Sequence, residues 1–292
     1  MIYGQSKLPP RVISRMDIKG TNLVKGVHLE GLRVIGTPQN LATWYCLQGA
    51  DELLYIDLVA SLYRRSNLID VVRATAGTVD IPLTVGGGIR STDDCRDLLR
   101  AGADKLAINS AAVEDRELLA ASVRRFGSST IVSSIEAKKT GIGWEVLTKS
   151  GRERTGLEVH KWAQFCIDSG VGELLITSID ADGTGRGYDL ELVRSLASFS
   201  PIPVIASGGA GTPADVVAVL TEARADAVAV ASMFHYHESA LSVGGGLASG
   251  EGNTTFLSAG RRFGVIDGCT VREVKDAISQ AGFAVRERVE AA

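Results

Sequence analysis

Three stretches from the first half of this 292-residue chain come back in the second half, each about 120 residues later. VISRMDIK at 12–19 is echoed by IVSSIEAK at 131–138, IPLTVGGGIRST at 81–92 by IPVIASGGAGTP at 202–213, and ADKLAINSAAV at 103–113 by ADAVAVASMFH at 225–235. A repeat of this length is not one strand or helix but a block of several elements used twice. Between the echoes, short β-branched apolar runs alternate with amphipathic stretches of helical period, the pattern of parallel βα units. Strands are expected near 11–17, 53–58, 82–85, 105–109, 130–136, 174–178, 204–206 and 227–231. Helices are expected near 40–48, 68–75, 92–100, 116–125, 158–169, 189–197, 213–222 and 271–280. Eight parallel strands with a repeat at the midpoint close most simply into a (β/α)8 TIM barrel, whereas a doubly wound sheet has no reason to repeat there. The expected organisation is a single α/β domain over 1–292, with half-barrels at about 11–126 and 127–284.

Two segments break the pattern. After the fifth strand, 143–156 alternates in period two around Lys149-Ser150-Gly151, which reads as a small hairpin. After the eighth, about 237–260 is rich in Gly and Ser and reads as an inserted loop, either a surface loop or a substrate lid. A net charge of −3 and 5% aromatic content leave no basic stripe and little to stack on bases, which excludes a dedicated nucleic-acid binder. No apolar run approaches the roughly 18 residues of a membrane span and the N-terminus lacks a signal-peptide apolar region, so a cytoplasmic protein is expected. Cys46, Cys95, Cys166 and Cys269 share no C-x-x-C spacing, and His28, His160, His235 and His237 add no ligand pattern. Reduced thiols, no metal and no cofactor are the expectation.

In a barrel of this kind, chemistry sits at the C-terminal ends of the strands. Asp17 ends the first expected strand and Glu136 the fifth, so the two carboxylates face each other across the mouth. They can act as a general acid and a general base on a substrate between them, or simply cap loop amides. Both occupy the same repeat position and each is followed by a lysine two residues on. Glycine-rich turns at Gly86-Gly87-Gly88 and Gly208-Gly209 follow strands three and seven, where bare amides and a helix N-terminus can cradle phosphate. With Asn109-Ser110 after strand four and Ala231-Ser232 after strand eight, they make two opposed anion sites, so a substrate with a phosphate at each end would span the mouth. Asp182-Gly183-Thr184 offers a further amide and hydroxyl to the second phosphate, while tight-turn geometry alone is the bland account of the glycines. At the opposite end, Arg11, Glu52, Lys105 and Glu173 sit where the chain enters strands one, two, four and six. Two positive and two negative charges converging there make either a salt-bridged plug or a closable opening into the barrel.

Several of these segments resemble a known family when taken together: Asp17, Val24-Lys25-Gly26, Asp51-Glu52-Leu53, TVGGGI at 84–89, TSID at 177–180 with DGT at 182–184, GYD at 187–189, ASGGAG at 206–211 and SMFHYHE at 232–238. They resemble the cyclase subunits of imidazole glycerol phosphate synthase, over nearly the whole chain except the N-terminal tail and the Gly/Ser segment. The related histidine-pathway isomerase shares the duplicated barrel and the two phosphate sites, but the TSIDADGTGRGYD and SMFHYHE segments look like the cyclase. The resemblance implies a carbon–nitrogen lyase and cyclase of histidine biosynthesis. Such an enzyme joins ammonia to a bis-phosphorylated formimino ribonucleotide, giving imidazole glycerol phosphate and an aminoimidazole carboxamide ribotide. It implies ammonia from a glutaminase subunit docked at the N-terminal barrel face. By position Asp17 matches the family's base, Glu136 its acid, Lys25 a residue of the mobile first loop closing over substrate, and Arg11, Glu52, Lys105 and Glu173 its ammonia gate. The acid is ordinarily aspartate, and here it is Glu136. That departure, with the 24–33 stretch and the long segment after strand eight, leaves a second reading. In it the chain belongs to a divergent branch that activates a glutaminase and conducts ammonia to a sugar amidotransferase of surface-polysaccharide (acetamidino-sugar) synthesis.

Overall fold

The computed structural model describes residues 8–60, 68–242 and 266–287. Eight parallel strands close a barrel: β1 (Arg11–Lys19), β4 (Glu52–Asp57), β5 (Leu83–Gly86), β6 (Lys105–Ile108), β7 (Ile131–Thr140), β10 (Glu173–Ser178), β11 (Val204–Ser207) and β12 (Ala227–Val230). They are neighbours in that order, and β12 returns to β1 with Arg11 opposite Ala227 and Ser14 opposite Val230. The remaining strands extend two members of the barrel beyond its mouth. β2 (Asn22–Val27) and β3 (Glu30–Gly36) form an antiparallel hairpin on the end of β1, and β8 (Gly143–Thr148) and β9 (Glu153–Glu158) one on the end of β7. The second hairpin is where period two places it; the first is not anticipated by the sequence reading, which treats that stretch as a loop.

Helices packed outside the strands include α1 (Pro38–Leu47), α2 (Leu68–Ala76), α3 (Thr92–Ala101), α4 (Ser110–Glu114), α5 (Glu117–Phe126), α6 (Val159–Asp168), α7 (Leu190–Ala197), α8 (Pro213–Thr221), α9 (Ser232–Ser242) and α10 (Val271–Gln280). Their ends are set locally. Ser91 accepts from the Asp94 amide at the start of α3, and Gly102 ends that helix at φ 113°, a conformation that costs a Cβ-bearing residue most. Thr212 with Asp215 and Thr270 with Glu273 form capping boxes at α8 and α10. The short α4 and the whole of α9 were not expected. Residues 237–242, expected to open the inserted loop, instead finish α9, and the rest of that stretch lies outside the described residues.

Strand alternation divides the apolar residues into two cores. Val12, Met16 and Ile18 of β1 join Leu53, Tyr55, Ile135 and Ile176 in the layer under the helices, where the largest buried cluster lies. Ile13, Leu54, Val132, Leu175 and Ile205 fill the barrel interior. Counting in twos from Ile13, the interior column on β1 reads Arg11, Ile13, Arg15, Asp17. Charge therefore sits below and above an apolar waist.

Candidate active site

Asp17 and Glu136 lie on β1 and β7, four strands apart around the closed barrel, and thus on opposite sides of its mouth. Asp17 Oδ1 accepts a 2.9 Å hydrogen bond from Arg15 Nε, and Oδ2 lies 3.5 Å from Lys25 Nζ. Glu136 Oε2 accepts from the Gly151 amide at 2.8 Å. Burial pushes both carboxylates up, but for Asp17 the adjoining Arg15 and Lys25 outweigh it and hold the group below the ordinary aspartate value. For Glu136 burial wins over the Gly151 bond and the more distant Arg15, and Asp17 adds repulsion, so its carboxyl is pushed up to about 7. One carboxylate is held ionised and the other stays protonated towards neutrality, which is how a pair of acids divides base and acid roles.

Two clefts flank this pair, at the positions where the sequence places anion sites. The first is a cavity of about 350 Å3 lined by Gly88, Asn109, Ser110 and Glu136 together with Arg90 and Lys149. Asn109 Oδ1 is buried there without a hydrogen-bond partner among the described residues. The second is a narrow cleft lined by Asp182, Gly183, Gly208, Gly209, Ala231 and Ser232, with Arg15 and Ser207 at its base. Gly209 has φ +113°, and a Cβ there would sit 2.1 Å from the Gly187 carbonyl oxygen, so this wall of the cleft requires glycine.

Two expected details are corrected. Lys25 is not on a loop but on β2, 3% exposed, with Nζ 3.1 Å from both carboxylate oxygens of Asp182. Thr184 turns away from the cleft lining: its Oγ1 donates to the Ala181 carbonyl at 2.7 Å and closes its own turn. Asp182 offers no bare amide, since its N–H donates to the Ser178 carbonyl at 2.9 Å, and it anchors the first hairpin: its side chain also accepts from the Leu29 amide and its carbonyl from the His28 amide.

At the other end of the barrel Arg11, Glu52, Lys105 and Glu173 form a closed ring of ion pairs. Arg11 Nη1 is 2.7 Å from Glu52 and 2.9 Å from Glu173, and Lys105 Nζ is 3.2 Å and 3.1 Å from the same two carboxylates. Glu173 Oε2 has no hydrogen-bond partner among the described residues. Those residues also hold no group of three or more His, Cys, Asp and Glu side chains suited to a metal, and no helix long and apolar enough to cross a membrane.

A family model described as histidine biosynthesis protein matches residues 11–240, the span from β1 into α9. The imidazole glycerol phosphate synthase subunit HisF of Legionella pneumophila is 59% identical over 202 residues, which is 69% of this chain and 95% of that protein. The chain belongs to the HisF family. HisF of Myxococcus xanthus is 49% identical over 228 residues, 78% of this chain and 90% of its own, and HisF of Leifsonia xyli 48% over 253, 86% and 96% respectively. This HisF-family barrel also carries cations at its mouth that belong to none of the sequence motifs. Arg15 lies inside the barrel two residues before Asp17, and Arg90 and Lys149 bring positive charge to the first cavity. Period two on β1 is enough to find Arg15, since it lies between Arg11 and Asp17 on the inward face. Lys149 had no such signal, because a turn residue's direction depends on the hairpin's fold over β7.

Proposed function

We propose that the chain is the cyclase subunit of imidazole glycerol phosphate synthase. It acts on a bis-phosphorylated formimino ribonucleotide with ammonia from a glutaminase docked at the N-terminal face of the barrel. The observation that carries this reading is the opposed pair Asp17 and Glu136, one carboxyl held down by its cations and the other pushed up by burial, between two glycine-lined clefts. Substrate phosphates bind at Gly88, Asn109 and Ser110 on one side and at Gly183, Gly208, Gly209 and Ser232 on the other. Both sites supply amides and positive charge where a dianion needs them. The reacting atoms then lie over the carboxylates. Asp17 accepts the proton that the attacking nitrogen loses as it bonds to the substrate, and Glu136 donates to the departing group.

Ammonia enters through the ring of Arg11, Glu52, Lys105 and Glu173. The buried Glu173 Oε2 is an acceptor for its N–H groups, and the charged ring opens by exchanging ion pairs rather than by unfolding a strand. Glu136 replaces the family's usual aspartate, and the Gly151 amide fixes the longer side chain, which supports a working acid at this position. The deciding experiment feeds the purified chain the bis-phosphorylated ribonucleotide and an ammonium salt and follows both products. Turnover without any further protein supports the cyclase. Absence of turnover, with glutaminase activation retained, favours a conduit to a sugar amidotransferase.

A further inference from the structure

The guanidinium of Arg15 is the interior group whose purpose the barrel's packing does not explain. It is 3% exposed and held from three strands. Nε donates to Asp17 Oδ1 at 2.9 Å, and Nη1 donates to Thr177 Oγ1 of β10 at 3.1 Å and Ser207 Oγ of β11 at 2.9 Å. An apolar side chain would fill this layer without burying a charge, and burial of a cation is costly unless it has a partner it serves. Arg15 also lines the second cleft, beside Gly208, Gly209 and Ser232. One planar group thus touches the carboxylate and reaches the cradle, with five N–H donors to divide between them.

We propose that Arg15 is a positioning residue that couples the second anion cradle to Asp17: a phosphoryl group in the cradle shares the guanidinium with the carboxylate, and filling the cradle makes Asp17 a stronger base. This deepens the cyclase reading and takes the cradle's phosphate from it. Around Asp17 the charged and titratable neighbours are Arg15 on its own strand, Lys25 on β2, Glu136 on β7, Asp182 after β10 and His235 on α9. Burial pushes His235 down to about 3, so it is neutral at working pH. Lys25 is shared with Asp182. Arg15 is therefore the cation whose balance an arriving dianion changes most directly. An opposite charge within about 4–6 Å lowers a carboxylate's pKa by about 1–3 units, and a dianion drawing on the same guanidinium removes part of that effect. Before substrate arrives Asp17 is ionised but weakly basic; once the cradle is filled it is ionised and more basic, which ties proton abstraction to correct seating.

The test is a titration of Asp17 by carbon NMR on the full chain with carboxyl-labelled aspartate, its signal assigned by loss in Asp17→Asn, with and without saturating inorganic phosphate. In the wild type, phosphate should raise the Asp17 midpoint by about one pH unit. In Arg15→Gln the midpoint should already be raised, and phosphate should add little. Arg15→Lys keeps a charge but loses the fork. It should fold if Arg15→Gln does not, with a raised midpoint and a smaller phosphate response. In ammonium-fed turnover, Arg15→Gln should raise KM about tenfold and move the acid limb of kcat to higher pH. An unmoved Asp17 midpoint on phosphate addition to the wild type, or a response in both variants as large as the wild type's, overturns the proposal and leaves Arg15 as a strap between strands. A wild type that shows the phosphate response but turns over no ribonucleotide would refute the cyclase reading and leave the coupling standing.

Discussion

Glu136 Oε2 and the amide of Gly151 are joined by a 2.8 Å hydrogen bond that ties the acid side of the mouth to the turn between β8 and β9. The same turn donates the Lys149 amide to Ser110 Oγ at 2.9 Å and the Ser150 hydroxyl to the Leu58 carbonyl at 2.8 Å. The hairpin therefore sets both the reach of the carboxyl and one wall of the first cavity. Glutamate at this position is thereby given a defined place rather than an extra methylene of slack.

Shortening that side chain should be costly. Glu136→Asp withdraws the carboxyl by roughly 1.5 Å and breaks the Gly151 bond, and misplacement of about 1 Å can cost on the order of 100-fold in rate. We expect ammonium-fed kcat to fall by about 10- to 100-fold with KM little changed. Equal rates for the two acids would mean that carboxyl reach is irrelevant here.

The raised Glu136 carboxyl also sets a pH dependence. Its folded value of about 7 lies above the ordinary glutamate value of 4.5, so between the two the folded chain holds a proton that the unfolded chain has lost. Stability from this group is therefore fully present below the unfolded value and declines as pH rises to about 7. Denaturant melts across that window should show a weaker decline for Glu136→Gln. Turnover should fall on the alkaline side with a midpoint near 7, where the acid loses its proton, and a rate independent of pH from 6 to 8 would contradict the assignment.

Asp17→Asn preserves volume and removes the basic carboxylate. Activity should drop by at least about 100-fold in the ammonium-fed assay, the range expected for loss of a general base. Circular dichroism should remain that of the wild type. Retention of a tenth or more of the rate would move the base elsewhere.

The first hairpin approaches the second cleft at Gly183, whose φ is +71° and where a Cβ would lie 2.5 Å from the Gly26 carbonyl oxygen. Gly183→Ala should force β2 outward and lengthen the Lys25 to Asp182 pair, at a cost of about 1–3 kcal/mol. Hydrogen exchange over 22–36 should quicken and substrate KM should rise. Unchanged exchange there would show that the contact yields without moving the hairpin.

At the floor, Lys105→Ala strands two carboxylates that then share only Arg11. The ring is partly solvated, so the cost should be about 1–3 kcal/mol, below the 3–5 kcal/mol of breaking a fully buried pair. Glutamine-dependent turnover should change while ammonium-fed turnover is spared, since external ammonia reaches the open mouth. Equal loss in both assays would indicate a purely structural plug.

Much of this was legible from the chain alone because it depends on local pattern. Short β-branched apolar runs marked the eight barrel strands and alternation in twos the 143–156 hairpin, and the glycine turns after strands three and seven do line the two clefts at the mouth. Stretch 22–36 was not legible as strand: Gly26, His28, Leu29 and Gly31 interrupt the alternation, and His28 and Leu29 take positive φ, 54° and 61°. Its hairpin is held instead by pairing with β1 and by Lys25 on Asp182, a residue 157 positions away.

What the sequence determined by itself is the order and period of the elements, and with them which face of each strand turns inward. That is enough to put Asp17, Glu136 and the four floor charges in the barrel, because side-chain direction in a strand follows from position alone. What only the tertiary structure decided is who partners whom. Arg15 is bonded to Asp17 while lining the second cleft, Lys25 is given to Asp182, Thr184 is turned back on Ala181, and the Glu136 carboxyl is pushed up by burial. Those outcomes depend on distances across a closed barrel and on the loss of water around each charge, and neither is a property of any segment of the chain before the strands close.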